Sequence, residues 1–94
     1  MTRRAGRIDE NQPAITDALR QVGVTVEVIS DIGRGVPDLL AYSPYTKSLL
    51  LLEIKMPGEG LTLAEKNWHA RWRACVHIVH SVEEALKACG VEVV

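Results

Sequence analysis

The apolar residues of this chain change their period along its length, and each change marks an element. Between Asn11 and Gly23 they fall at Ala14, Ile15, Ala18, Leu19 and Val22. That spacing lines one side of an α-helix, with Gly23 standing where a left-handed cap commonly closes one. Pro13 then occupies the first turn, where a missing N–H costs little. Val24 to Ile29 is rich in β-branched residues and predicts a strand, followed by a flexible connection at Ile32-Gly33-Arg34-Gly35. Two apolar runs come next, Asp38 to Tyr42 and Ser48 to Lys55, separated by Pro44-Tyr45-Thr46-Lys47. They predict a β-hairpin. The second run is apolar on both sides at first, Leu49 and Leu51 on one and Leu50, Leu52 and Ile54 on the other. Such a strand is expected at the centre of a sheet, covered on both faces.

Pro57-Gly58-Glu59-Gly60 interrupts the pattern. Thr62 followed by Glu65 is a capping-box signature, so a helix is expected from Leu63 to Ala74. Val76 to Val79 predicts a short strand. Ser81 with Glu84 is a second capping box, Gly90 closes that helix, and Val91 to Val94 predicts an edge strand. The order begins α-β-β-β-α-β and predicts an α/β fold with a mixed central sheet flanked by helices.

Composition narrows the class. Ninety-four residues, 47% hydrophobic and 24% charged, make a single globular domain over 1–94, with residues 1–7 as a basic tail. With no Phe and two each of Trp and Tyr, aliphatic side chains must fill the core. The formal charge of −1 excludes a protein that holds nucleic acid by bulk positive charge alone, though not one that meets phosphate through a metal ion. Two cysteines are too few for a disulfide scaffold, and Cys75, His77, His80 and Cys89 lack a structural zinc spacing. The basic start runs into Ile8-Asp9-Glu10-Asn11 without an apolar segment, and the Leu49–Leu52 run is too short to span a bilayer. A soluble, cytoplasmic protein is expected.

The hairpin brings candidate chemistry together. Strand alternation puts Glu53 and Lys55 on one face, at the end of the strand where its apolar pattern stops. If Ser43 and Ser48 close the loop, counting back along both strands sets Asp38 opposite Glu53, on the same face. Cross-strand neighbours lie about 4.5–5.5 Å apart at Cβ, where like charges destabilise. Two facing carboxylates beside a lysine therefore need a reason, and a hard divalent cation supplies one, since Mg²⁺ binds through one or two carboxylates plus water and phosphate oxygens. Glu10, four residues before Ala14, is a third candidate on the inward side of the first helix; Asp9 takes its place if the register slips by one.

These residues carry a resemblance. Gly35-Val36-Pro37-Asp38 followed by Glu53-Ile54-Lys55 resembles the PD-(D/E)xK nuclease motif. The longer string of Glu10, that Gly-Val-Pro-Asp element, Leu52 to Gly58, Leu61 to Glu65 and Ser81 to Leu86 is similar to the VRR-NUC family in its small, stand-alone form. The resemblance implies a restriction-endonuclease-like fold and hydrolysis of DNA phosphodiesters with Mg²⁺ or Mn²⁺. It also implies a homodimer acting on four-way (Holliday) junctions. It assigns Glu10, Asp38, Glu53 and the Ile54 carbonyl to the metal, and Lys55 to the attacking water and the developing charge. The family often carries Gln where this chain has Glu65, which leaves Glu65 either a site residue or simply the cap of its helix.

Candidate phosphate contacts are Arg34, in the loop leading to Asp38, with Arg7, Lys66 and Arg71. Trp68 and Trp72, four apart on one helix, suit core or dimer packing better than base stacking. Nothing in the pattern singles out His69. The competing class is a DNA-binding or protein-interaction module that keeps the fold without catalysis.

Overall fold

The computed structural model describes residues 11–73 and 76–92. The chain runs α1 (Asn11–Gln21), β1 (Thr25–Val28), a short 3₁₀ turn (Ser30–Ile32), β2 (Leu39–Ser43), β3 (Ser48–Ile54), α2 (Leu63–Trp72), β4 (Val76–Val79) and α3 (Val82–Ala88). The four strands form one mixed sheet in the order β1-β2-β3-β4, antiparallel except for the parallel pair β3–β4. Parallel neighbours need a crossover, and α2 is that crossover. The expected α/β class, with its α-β-β-β-α-β order and flanking helices, is the observed one.

One face of the sheet is closed. Leu39, Ala41, Leu50, Leu52, Ile54 and Val79 point from the strands into a core completed by Ile15 and Leu19 of α1, by Ala85 of α3 and by Cys89, which caps α3. The hairpin register is the counted one: Ser43 pairs with Ser48 and Leu39 with Leu52 across a four-residue loop. Ser43, wholly buried, ties the hairpin down, its hydroxyl donating to the Cys89 carbonyl and accepting from the Tyr45 amide.

Three expectations change in detail. The buried stripe of α1 is Gln12, Ile15, Thr16 and Leu19, while Ala14 is exposed and Ala18 only half-buried. The helix is turned toward Gln12 because that side chain reaches Ser30 beyond β1. Glu10, which the sequence aligns with Ala14 and Ala18, lies outside the described residues. Helix α2 stops at Trp72, with Arg73 in a left-handed conformation at φ 59°, and Ala74 lies outside the described residues. Val91 and Glu92 form no strand, because the Val91 amide donates to the Leu86 carbonyl and closes α3 instead of pairing with a neighbour; Val93 and Val94 lie outside the described residues.

The second face is covered only in part. A ten-residue helix is about 15 Å long, so α2 shields the end of β3 that carries Glu53 and leaves Leu49 72% exposed. Strand β3 is central, as expected, but not covered along its whole length. Trp72 stacks on Trp68 with ring centroids 4.7 Å apart, and the two rings wall an open apolar groove of about 520 Å³ that includes Ile32, Val36, Leu40 and Leu51. No helix among the described residues is long and apolar enough to cross a membrane.

Candidate active site

The site begins where the β2–β3 ladder stops. Leu39–Leu52 is its last pair, and the next amide on β3, that of Ile54, would look for the Pro37 carbonyl. Instead the Asp38 carboxylate takes that rung, Oδ2 accepting from the Ile54 amide at 2.7 Å. The Asp38 amide turns to the Leu52 carbonyl at 3.0 Å, and its own carbonyl accepts from Ile29. Pro37 has no N–H to offer back across the gap. In an extended strand a residue's N–H and C=O point to the same edge, so the Ile54 carbonyl faces the side on which Asp38 sits. A proline placed one residue before an aspartate thus ends the sheet with an acid and a carbonyl side by side.

Gly35 lets this loop lie against α2. A Cβ there would sit 2.2 Å from the Ala64 carbonyl oxygen, and the backbone is left-handed at φ +85°. Only glycine fits both demands without strain. The contact brings the first turn of α2 against the loop leading to Asp38, and with it Glu65.

Asp38 and Glu53 face each other as the register requires, and their side chains share a hydrogen bond. Glu53 is 2% exposed. Burial first, then the charges of Asp38 and Glu65, push its carboxyl up to about 9, so at neutral pH it keeps a proton and donates it toward Asp38. Burial also raises Asp38, opposed by the Ile54 amide and by Glu53. Two acids that cannot both ionise in this cavity are a poised pair, unstable as carboxylates until a positive charge joins them.

Lys55, two residues on, is 6% exposed, and its amide closes the sheet end by donating to Val79 at 3.0 Å. Its ammonium lies 2.8 Å from Glu65 Oε1 and 3.7 Å from Glu59 Oε2. Burial works against its charge, but the hydrogen bond and charge of Glu65, with Glu59 and Glu53 behind, outweigh it and hold the ammonium above its ordinary value. Glu65 is the cap of its helix and also reaches Lys55. Its Oε1 accepts from the Thr62 amide at 2.8 Å and completes a true capping box, while the same side chain pairs with Lys55. In the second box Ser81 accepts from the Glu84 amide, but Glu84 turns away to the amide and ring of His80.

His69 is the residue sequence reasoning missed. Its Nε2 lies 3.3 Å from Glu53 Oε1 and its side chain is 14% exposed. Burial lowers its pKa, so at neutral pH this contact is a hydrogen bond rather than an ion pair. The available signal was its position one helical turn beyond Glu65. Glu59 was likewise passed over as part of a turn. Among the DNA-contact candidates, Arg34 is exposed between Gly33 and Gly35 with φ 57°, and Lys66 and Arg71 lie on the outer side of α2. The structure does not gather these three at one point, and Arg7 lies outside the described residues. Asn11, the first described residue of α1, donates to the His80 carbonyl at 3.1 Å and approaches Met56, so α1 starts beside the end of β3.

Among the described residues no group of three or more His, Cys, Asp or Glu side chains is arranged to hold a metal ion by itself. The donors present nevertheless fit a hard divalent cation. Two adjacent carboxyls that can release a shared proton, and a carbonyl, are what such an ion takes from a protein when water and phosphate complete its shell. No family model matches this chain, and no curated protein and no solved structure matches it.

Proposed function

We propose that this protein is a metal-dependent, structure-selective DNA endonuclease that hydrolyses phosphodiester bonds, acting as a homodimeric Holliday-junction resolvase. The observation that carries the reading is the pairing of half-buried Asp38 with buried Glu53 at the end of β3, with the Ile54 carbonyl beside Asp38 and a charged Lys55 next to it. The string similar to the VRR-NUC family supports it.

Asp38, Glu53 and the Ile54 carbonyl would hold Mg²⁺ or Mn²⁺, with Glu10 as a fourth donor. Such an ion, when bound, polarises the scissile phosphate and lowers the pKa of a coordinated water. The protein's own groups do the rest. Asp38 and Glu53 give up the proton they share and present two anionic oxygens. Lys55, held as an ammonium, serves the attacking water and the charge that develops on the phosphate as a fixed positive point, not as a base. Glu65 and Glu59 hold that ammonium in place until phosphate oxygens compete for it. Arg34, beside the site, and Arg7, Lys66 and Arg71 are the proposed backbone contacts. A four-way junction offers two equivalent strands, and a two-fold dimer offers two such centres. The compartment that goes with this reading is the cytoplasm of a bacterial or phage-infected cell.

The test is a labelled four-way junction and a matched linear duplex incubated with protein and Mg²⁺, Mn²⁺ or EDTA, beside Lys55→Ala. Paired cuts near the crossover, lost in EDTA and in the variant, are expected. Metal-dependent cutting of duplex alone would remove the junction preference. Junction binding without cutting by folded protein would favour the non-catalytic module.

A further inference from the structure

Helix α2 and strand β3 run alongside each other in opposite directions with matching pitch. Four residues of helix advance about 6 Å and two residues of strand about 6.6 Å. Successive turns of α2 therefore meet successive same-face residues of β3. Glu65 meets Lys55 at 2.8 Å, His69 meets Glu53 at 3.3 Å, and Trp72 shares the groove with Leu51. The first of these contacts orders the lysine. The second falls on one oxygen of a glutamate whose other neighbour is Asp38.

We propose that His69 is a positioning residue for Glu53: its Nε2 fixes one carboxylate oxygen so that the group meets a divalent cation in a single orientation. This rests on the cation site of the proposed function and adds to it a residue that neither the motif nor the resemblance assigns. A glutamate has three rotatable bonds, and a buried one without a fixed partner must be ordered when the ion arrives. His69 is itself largely buried, its side chain 14% exposed. Hydrogen-bond partners of ligating groups typically change metal affinity 10–100-fold when removed.

The experiment is Mn²⁺ titration by calorimetry on wild type, Asp38→Asn, His69→Leu and His69→Gln, each first shown folded by circular dichroism in EDTA. Glutamine can place its amide nitrogen where the imidazole Nε2 lies, and leucine fills similar space without a donor. The expected result is Mn²⁺ binding by wild type, loss in Asp38→Asn, weakening of about 10–100-fold in His69→Leu, and recovery to within a few-fold in His69→Gln. If His69→Leu binds Mn²⁺ like wild type while Asp38→Asn does not, the positioning role is wrong and the cation site stands. Equal weakening in Leu and Gln also overturns it, since packing alone would then account for the loss. No binding by wild type, or unchanged binding in Asp38→Asn, removes the cation site and this inference with it. Should His69→Leu fail to fold, the Gln variant decides: binding weakened tenfold or more overturns the role.

Discussion

The two faces of the sheet are made from the same strands and serve opposite ends. Toward α1 and α3 the buried residues of β2 and β3 are Leu39, Ala41, Leu50, Leu52 and Ile54, closed and apolar but for the hydrogen-bonded Ser43. Toward α2 the same hairpin shows Asp38, Leu40, Leu49, Leu51, Glu53 and Lys55, with Glu53 and Lys55 buried beside half-buried Asp38 at one end and Leu49 exposed at the other. The first face stabilises the fold, since each fully buried aliphatic side chain contributes roughly 1.5–3 kcal/mol. The second places charge where desolvation opposes it. A sheet with only the first face would be more stable and could do no chemistry. The second is tolerable because the first is complete.

That contrast can be broken at several points, in falling order of effect. Leu52→Ala opens a void in the closed core and is expected to cost roughly 2–5 kcal/mol in urea unfolding. Gly35→Ala forces a side chain into the Ala64 carbonyl from a left-handed backbone, and an expected loss of about 2–4 kcal/mol would detach α2 from the site loop. Glu53→Gln acts in the other direction. With the folded carboxyl raised from 4.5 to about 9, the unfolded chain gives up a proton that the folded chain keeps. Stability in EDTA must then fall as pH rises between those values, by up to about 1.4 kcal/mol per unit. The Gln variant is expected to flatten that slope and to be the more stable protein at pH 8. Leu49→Ser, on the exposed end of the same face, should change stability by no more than about 0.5 kcal/mol. An effect as large as that of Leu52→Ala would mean that the second face is closed after all.

The closed face was legible in the sequence because its signal is local. Alternation along β3 and the length of one loop fix the hairpin register that pairs Leu39 with Leu52 and Ala41 with Leu50, and the same count extended by one residue puts Asp38 by Glu53 on the other face. The first capping box is readable for the same reason, Thr62 and Glu65 being three residues apart. What could not be read depends on where α2 lies on the sheet. The double use of Glu65, the pairing of His69 with Glu53 and the exposure of Leu49 all follow from a helix docked across some fifteen residues of sequence separation, steered by the glycine contact at Gly35. The edge strand expected at Val91 failed for a local reason that composition hides, an amide already engaged by the end of α3.

The most direct test of the claim that the second face is built around a cation is thermal unfolding of wild type and Glu53→Gln at pH 8, in EDTA and in Mn²⁺. An ion bound tenfold above its dissociation constant stabilises by about 1.4 kcal/mol, a rise in Tm on the order of 5–10 °C for a domain of this size. The account predicts that rise in wild type, a smaller one at pH 6 where protons compete more strongly for Glu53, and little or none in Glu53→Gln. A wild-type Tm indifferent to Mn²⁺, or an equal rise in Glu53→Gln, would contradict it.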